Sequence, residues 1–449
     1  MKLDNEEIKK IIDDEDRLMS LTTRVPYFPL IVDHAEGSYI YDIEGDKYLD
    51  LLASAAVMNV GHSNERILKA ITEQAQKFIH YTPAYAYHTK HTELAKKLVD
   101  IVPIEGEKRV AFGLSGSASV DGALKAAKAY TGRDHILSFH GSYHGTTYGS
   151  LSVSGYSSHM RSGMGSLLPN IHFAKFPDYF RSPYKSATEE DMACIDSILK
   201  IFESEAAADE FAAVITEPIQ GDGGILTPSK YFTHKLNEIC EEHGILLIVD
   251  EVHSGFGRTG ELFASRLVGL KPDIIVLGKA IASGMPLSGL VAKKEIFESW
   301  SAPKHFFNTA GNPVSCAAAI ENIDILMEEG FLAEVYAKGN YFKNKLKENL
   351  KDSQIVGNIR GEGLMIGIDI VKDKETKERN TKDTSKICWR AFEKGLILAF
   401  FSSNVLRIAP PLTISFKEID IAVEKICQTI REVEEGFVPD SVLEFVKGW

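Results

Sequence analysis

Five cysteines in 449 residues, none in a CxxC pair, make a poor start for a disulfide scaffold or a zinc knuckle. Cys194, Cys240, Cys316, Cys388 and Cys427 are scattered and odd in number, which suits a reducing compartment and predicts no metal site. No uninterrupted apolar run approaches the ~18 residues of a membrane span. Positive charge is also scarce: 50 Lys and Arg stand against 63 Asp and Glu, a net charge of −13. That balance argues against nonspecific nucleic-acid binding and against a polybasic membrane surface. Repeats and low-complexity linkers are missing as well. The first eighteen residues, MKLDNEEIKKIIDDEDRL, are acidic and lack the apolar stretch of a signal peptide. They read as an amphipathic helix with Ile8, Ile11, Ile12 and Leu18 roughly on one face, and the expected location is the cytoplasm.

What remains is an ordinary globular composition, 44% hydrophobic and 25% charged, long enough for more than one domain. Residues 37–52 alternate around Glu44-Gly45-Asp46 and predict a hairpin. A helix capped by Ser63 or Asn64 follows, with Ile67, Leu68, Ile71, Ala75, Phe78 and Ile79 as its apolar face. From about residue 107 the runs RVAFGL, HILSFHG, AAVITEPI, GILLIVDEV and DIIVLGKA alternate with helical segments. That pattern predicts an α/β fold with a mostly parallel sheet flanked by helices. After Gly311-Asn-Pro313 the character changes: a long helical region over about 314–350 leads into a smaller α+β part. The predicted division is an N-terminal segment, 1–62, packing with a small domain, 318–449, and a large domain, 63–317.

Two strand ends carry the chemistry. Asp250 closes one apolar run and Lys279 follows the next, so neighbouring parallel strands would bring a carboxylate and an amine to one C-terminal edge. Ligands of open α/β sheets bind at that edge. An amine there can form a Schiff base, and a carboxylate can keep a pyridine nitrogen protonated, which is what pyridoxal phosphate (PLP) asks of a protein. Ser115-Gly116-Ser117, a small turn opening a helix, suits a phosphate. Tyr143 and Val252 are either core residues or the two side chains that stack on the ring faces, and His253 is either an exposed loop histidine or a donor to the ring's phenolic oxygen. Arg407, on an otherwise apolar strand, needs a carboxylate and has the fork geometry for the α-carboxylate of an amino acid. GFGRTG at 255–260 matches a dinucleotide fingerprint. However, Asp250 and Glu251 just before it would repel a pyrophosphate, and no long amphipathic helix starts at Gly260.

As a set, SGS (115–117), SYHG (142–145), TEPIQGDGG (216–224), DEVHSGFGRTG (250–260), GKAIASGMPLSG (278–289), TAGNP (309–313) and NVLRIAPPL (404–412) resemble the class III aminotransferases, fold type I PLP enzymes. The resemblance runs from about Pro29 to Thr413 and implies a large PLP-binding domain with a smaller α+β domain. It implies Lys279 as the Schiff-base lysine, Asp250 as the ring-nitrogen partner, and Gly116 and Ser117 at the phosphate, with Glu217 among the cofactor-binding residues. It also implies a homo-oligomer, dimer or tetramer, with active sites at the dimer interface and a partner threonine at the phosphate. Here Asn308 holds the usual threonine position and Thr309 is beside it.

Three departures narrow the substrate. Ala118 replaces a usual glutamate, and Thr146 stands where 4-aminobutyrate aminotransferases bind a distal carboxylate through arginine. Asp222 replaces the glutamate that pairs with the arginine at the Arg407 position. Inversion at Cα requires a second acid opposite Lys279, and Asp222 is the candidate, because a shorter side chain would leave Arg407 free; the other reading is neutral drift in an ordinary aminotransferase. DLLASAAVMNVGH, FIHYTPAYAYH, YHGTTYGS and the terminal Gly-Trp are similar to the amino-acid racemase branch that includes isoleucine 2-epimerases. The expected activity is therefore inversion at Cα of a nonpolar amino acid, L-isoleucine to D-allo-isoleucine in the leading case. The alternative is transamination to a 2-oxo acid.

Overall fold

The computed structural model describes residues 5–25 and 27–446. The first four residues of the acidic N-terminal stretch and the terminal Gly-Trp pair lie outside the described residues. The chain forms two compact units, Glu65–Glu334 and a second built from the residues up to Asn64 and from Val335 onward.

The second unit opens with the helix Asn5–Leu18, then β1 (Val32–Glu36), β2 (Tyr39–Asp42) and β3 (Lys47–Asp50). The hairpin of β2 and β3 turns at Gly45, where φ is +88°.

The larger unit is built on seven strands: β4 (Lys108–Gly113), β5 (His135–Phe139), β6 (Ile171–Ala174), β7 (Phe211–Thr216), β8 (Leu246–Asp250), β9 (Ile274–Leu277) and β10 (Ser288–Lys293). Their order is β4-β10-β9-β8-β7-β5-β6. β10 runs antiparallel to both neighbours, and the pairs from β9 to β6 are parallel. Every residue of β7, β8 and β9 is buried, as a sheet covered on both faces demands. The helix Gly116–Thr131 lays Val120, Ala123, Leu124 and Ala127 on Ile215, Ile248, Val276 and Leu290. Ser115 caps it by accepting from the Ala118 N–H, and Gly132 ends it in the left-handed region.

From Val356 the second unit continues with β11 (Val356–Glu362), β12 (Met365–Ile370), β13 (Leu396–Ile397), β14 (Ala399–Phe401) and β15 (Val405–Ile408). They form one sheet, β11-β12-β15-β14, while β13 extends the other as β1-β2-β3-β13.

Some expectations from the sequence need correcting. The helical region at 314–350 is two helices, Pro313–Leu326 and Phe331–Asn349, parted at Gly330 with φ +83°. The helix after Asn64 ends at Lys77, and of its expected apolar face Leu68, Phe78 and Ile79 are exposed on the unit's outer surface. Strands β6, β10 and β11, of four, six and seven residues, add to those expected from the sequence.

Candidate active site

At the C-terminal edge of the parallel strands, the loops following β5, β7, β8 and β9 meet the N-terminus of the helix Gly116–Thr131. β8 and β9 pair so that Asp250 stands opposite Val276, three residues before Lys279. One pocket is lined by Gly116, Ser117, Tyr143, Glu217, Asp222, Asp250, Val252, His253 and Lys279, all drawn from the sequence expectations. His144 and Gly145 complete it. Asn308, Thr309 and Arg407 do not line this pocket. The Asn308 carbonyl accepts from His80 Nε2 at 3.0 Å, and Arg407 is buried in β15 with its guanidinium 3.5 Å over the Phe401 ring.

Asp250 is 4% exposed and oriented from both sides. Its Oδ1 accepts the Val252 N–H at 3.0 Å and its Oδ2 faces His144 Nδ1 at 2.7 Å. A carboxylate can only accept, so Nδ1 carries the proton in this pair. The sequence alone does not assign His144 this role, because its partner lies 106 residues away.

Glycines let the elements of the site approach one another closely. A Cβ on Gly116 would lie 3.0 Å from both Val252 methyls, and one on Gly145, at φ +128°, would lie 2.1 Å from Ser117 Oγ. That hydroxyl accepts the Thr146 N–H at 3.2 Å, tying the Tyr143 loop to the start of the helix. Lys279 has φ +43°, left-handed for a residue with a side chain, a strain of roughly 1–2 kcal/mol. Strain of this kind gathers at functional residues, where the surrounding structure enforces it.

Glu217 is buried, and its two oxygens accept from the N–H groups of Tyr143 (3.0 Å) and Gly221 (2.9 Å). Burial pushes its acid from 4.5 up to about 7; His144 opposes the rise, while the charge of Asp250 adds to it. Burial likewise pushes the Tyr143 phenol up to about 12, helped by the charges of Asp222 and Asp250.

The donor set fits PLP on its chemistry: an amine, an aimed carboxylate, an aromatic ring and a branched side chain for the two ring faces, and a helix N-terminus without Cβ crowding. Among the described residues, no group of three or more His, Cys, Asp or Glu side chains could hold a metal ion.

Comparison with known proteins agrees with this geometry. The chain matches the family model "Aminotransferase class-III" over residues 21–430. It is 44% identical to the leucine/methionine racemase of Thermococcus litoralis, covering 98% of this chain and 99% of that protein. It is 42% identical to the isoleucine 2-epimerase of Lentilactobacillus buchneri, covering 96% of each. Among solved structures, a PLP-bound amine transaminase from an uncultivated Pseudomonas species is similar with a TM-score of 0.85 and 30% identity, over 90% of this chain and 95% of that one. A match over nearly the whole sequence, with residues from five of the seven motifs gathered in one pocket, makes this chain a member of the class III aminotransferase family.

Proposed function

We propose that this protein is a PLP-dependent racemase or epimerase that inverts Cα of nonpolar amino acids, with L-isoleucine to D-allo-isoleucine as the leading reaction. The observation that carries the reading is that Lys279 and Asp222 line the same pocket as Asp250. Two groups able to carry a proton are what inversion needs, one for each face of Cα, whereas transamination needs only one. The two racemase and epimerase relatives named above act, by name, on leucine, methionine or isoleucine, which supports a nonpolar side chain.

When bound, PLP supplies an aldehyde carbon that condenses with an amine and a protonated ring that takes up the electron pair left at Cα. Lys279 Nζ moves the Cα proton on one face, and the Asp222 carboxyl moves it on the other. Asp250 would hold the proton on the ring nitrogen, and Tyr143 and Val252 would pack on the two ring faces. His253 would donate to the phenolic oxygen. Gly116 and Ser117 would hold the phosphate, with Asn308 or Thr309 of the partner subunit. Glu217 braces the Tyr143 side of the site. Arg407 is the proposed partner of the substrate's α-carboxylate, because a planar guanidinium matches a carboxylate with two parallel bonds.

A homo-oligomer is part of the proposal. It is supported by Ile79 and Tyr85, 69% and 76% exposed, and by the exposed Leu68, Phe78, Tyr81, Tyr87 and Phe306, of which Tyr85 and Phe306 are in ring contact. A cytoplasmic location is proposed on the five free cysteines. No described helix is long and apolar enough to cross a membrane.

The test is chiral analysis of L-isoleucine incubated with the PLP-loaded protein in heavy water, with no keto acid present. D-allo-isoleucine carrying deuterium at Cα is the expected product. An α-centre that stays unchanged until a 2-oxo acid is added, and then yields a keto acid, would make the protein an aminotransferase.

A further inference from the structure

Asp222 stands in Gly221-Asp222-Gly223-Gly224, a stretch with little stiffness of its own. Within the turn, the N–H groups of Gly224 and Ile225 both reach the Gly221 carbonyl at 3.2 Å, and Gln220 and Leu226 exchange backbone bonds of 3.0 and 3.1 Å. Two anchors tie the turn to other elements. Gln220 Nε2 donates to the His140 carbonyl at 3.0 Å, and the Gly221 N–H donates to Glu217 Oε2 at 2.9 Å. The other oxygen of Glu217 takes the Tyr143 N–H. One carboxyl group therefore joins the loop after β7 to the loop after β5, through the peptide just before Asp222 and the peptide of the ring-stacking tyrosine.

Two features say the group must be an acid. First, two backbone donors converge on two separate oxygens. An amide of the same shape has one oxygen, and its NH2 would confront the second N–H. Second, the turn runs close to its surroundings: a Cβ on Gly221 would lie 2.2 Å from His253 Nδ1. Keeping an acid at 5% exposure beside Asp250 is costly, and a merely space-filling residue would not be one.

We propose that Glu217 is the positioning residue of Asp222: it clamps the glycine-flanked turn to the Tyr143 loop and so sets where the acid opposite Lys279 stands. This rests on the reading of Asp222 as the second proton carrier. Glu217 then governs proton transfer on the Asp222 face and leaves the Lys279 face largely alone.

The experiment uses PLP-loaded Glu217→Gln and Glu217→Ala proteins with each enantiomer of a nonpolar amino acid in heavy water. Inversion and exchange of the Cα hydrogen with retention are measured separately. Inversion is expected to fall toward the roughly 10²-fold that a positioned acid or base contributes, more in Glu217→Ala than in Glu217→Gln. Retentive exchange of the enantiomer whose proton faces Lys279 stays near the wild-type rate. Amide hydrogen exchange read by mass spectrometry should quicken in 218–226 and stay unchanged in β7 and β8. Parallel loss of both rates, or an unchanged turn, overturns the proposal. If Asp222→Asn abolishes inversion while both Glu217 variants keep it, this proposal alone fails. If Asp222→Asn still inverts, the two-carrier reading falls and this proposal with it.

Discussion

Replacing Ala55 by glycine should stabilise the protein, against the usual direction of an alanine-to-glycine change. Ala53, Ser54, Ala55 and Ala56 all have positive φ, from 47° to 63°, a left-handed turn made without one glycine. Its backbone bonds are good: Ala56 N–H reaches the Leu52 carbonyl at 2.7 Å and Val57 N–H the Ala53 carbonyl at 2.8 Å. Asp50 pins its entrance, with Oδ1 accepting from the N–H groups of Leu52 (2.8 Å) and Ala53 (3.0 Å) and Oδ2 2.7 Å from His62 Nε2. Each left-handed residue with a Cβ costs roughly 1–2 kcal/mol. Ala55 is exposed, so glycine there removes that cost without opening a cavity. The added chain entropy of glycine takes back roughly 0.5–1 kcal/mol. The net gain is then about 0.5–1 kcal/mol, a higher urea midpoint with an unchanged m-value. Ala333→Gly, at an exposed position of the right-handed helix Phe331–Asn349, is the control and should lose about 1 kcal/mol. If Ala55→Gly lowers the midpoint as the control does, the strain argument is wrong.

Other perturbations test other parts of the structure. His144→Leu leaves the Oδ2 of buried Asp250 without its donor and should weaken PLP binding about tenfold to a hundredfold, from a deficit of roughly 1.5–3 kcal/mol, whereas His144→Asn should lose less; a fluorescence titration with PLP decides it. Equal affinity in wild type and His144→Leu would remove His144 from the site's support. Glu217, raised from 4.5 to about 7, keeps its proton longer in the native state than in the unfolded chain, so its contribution to stability is full below about pH 4.5 and is lost as pH rises through 7. The loss is on the order of 3 kcal/mol, and Glu217→Gln should remove that slope from urea midpoints measured between pH 4.5 and 8. Gly339→Ala, in mid-helix, ought to gain about 1 kcal/mol by propensity. Its Cβ would instead meet the Gly363 backbone carbonyl at 2.0 Å, so a net loss of about 1–3 kcal/mol in denaturant unfolding is expected.

How far the site could be read from the sequence depended on which physical signal each residue leaves there. β7, β8 and β9 are apolar along their whole length because both faces of the sheet are covered, so the runs ending at Thr216, Asp250 and Leu277 announced themselves. Once those strands are parallel neighbours, Glu217, Asp250 and Lys279 must share an edge, and the glycines at 116, 221, 223 and 224 mark where backbone comes close. His144 left no such mark, because its role lies in a 2.7 Å contact with a residue 106 positions away. Apolar spacing, for its part, says that a side chain avoids water and not what covers it. Leu68 and Ile79 therefore looked like core, yet they are exposed on their unit. The left-handed turn at 53–56 was hidden for the opposite reason: a run of small, helix-favouring residues reads as right-handed helix, and nothing local contradicts that. The Ala53 N–H is held by Asp50, whose carboxylate also meets His62, and Lys279 likewise stands at positive φ, +43°. Strain of this kind is imposed by tertiary contacts on residues that would not choose it. Where it falls on the proposed catalytic lysine, relieving it should change the chemistry before it changes the fold.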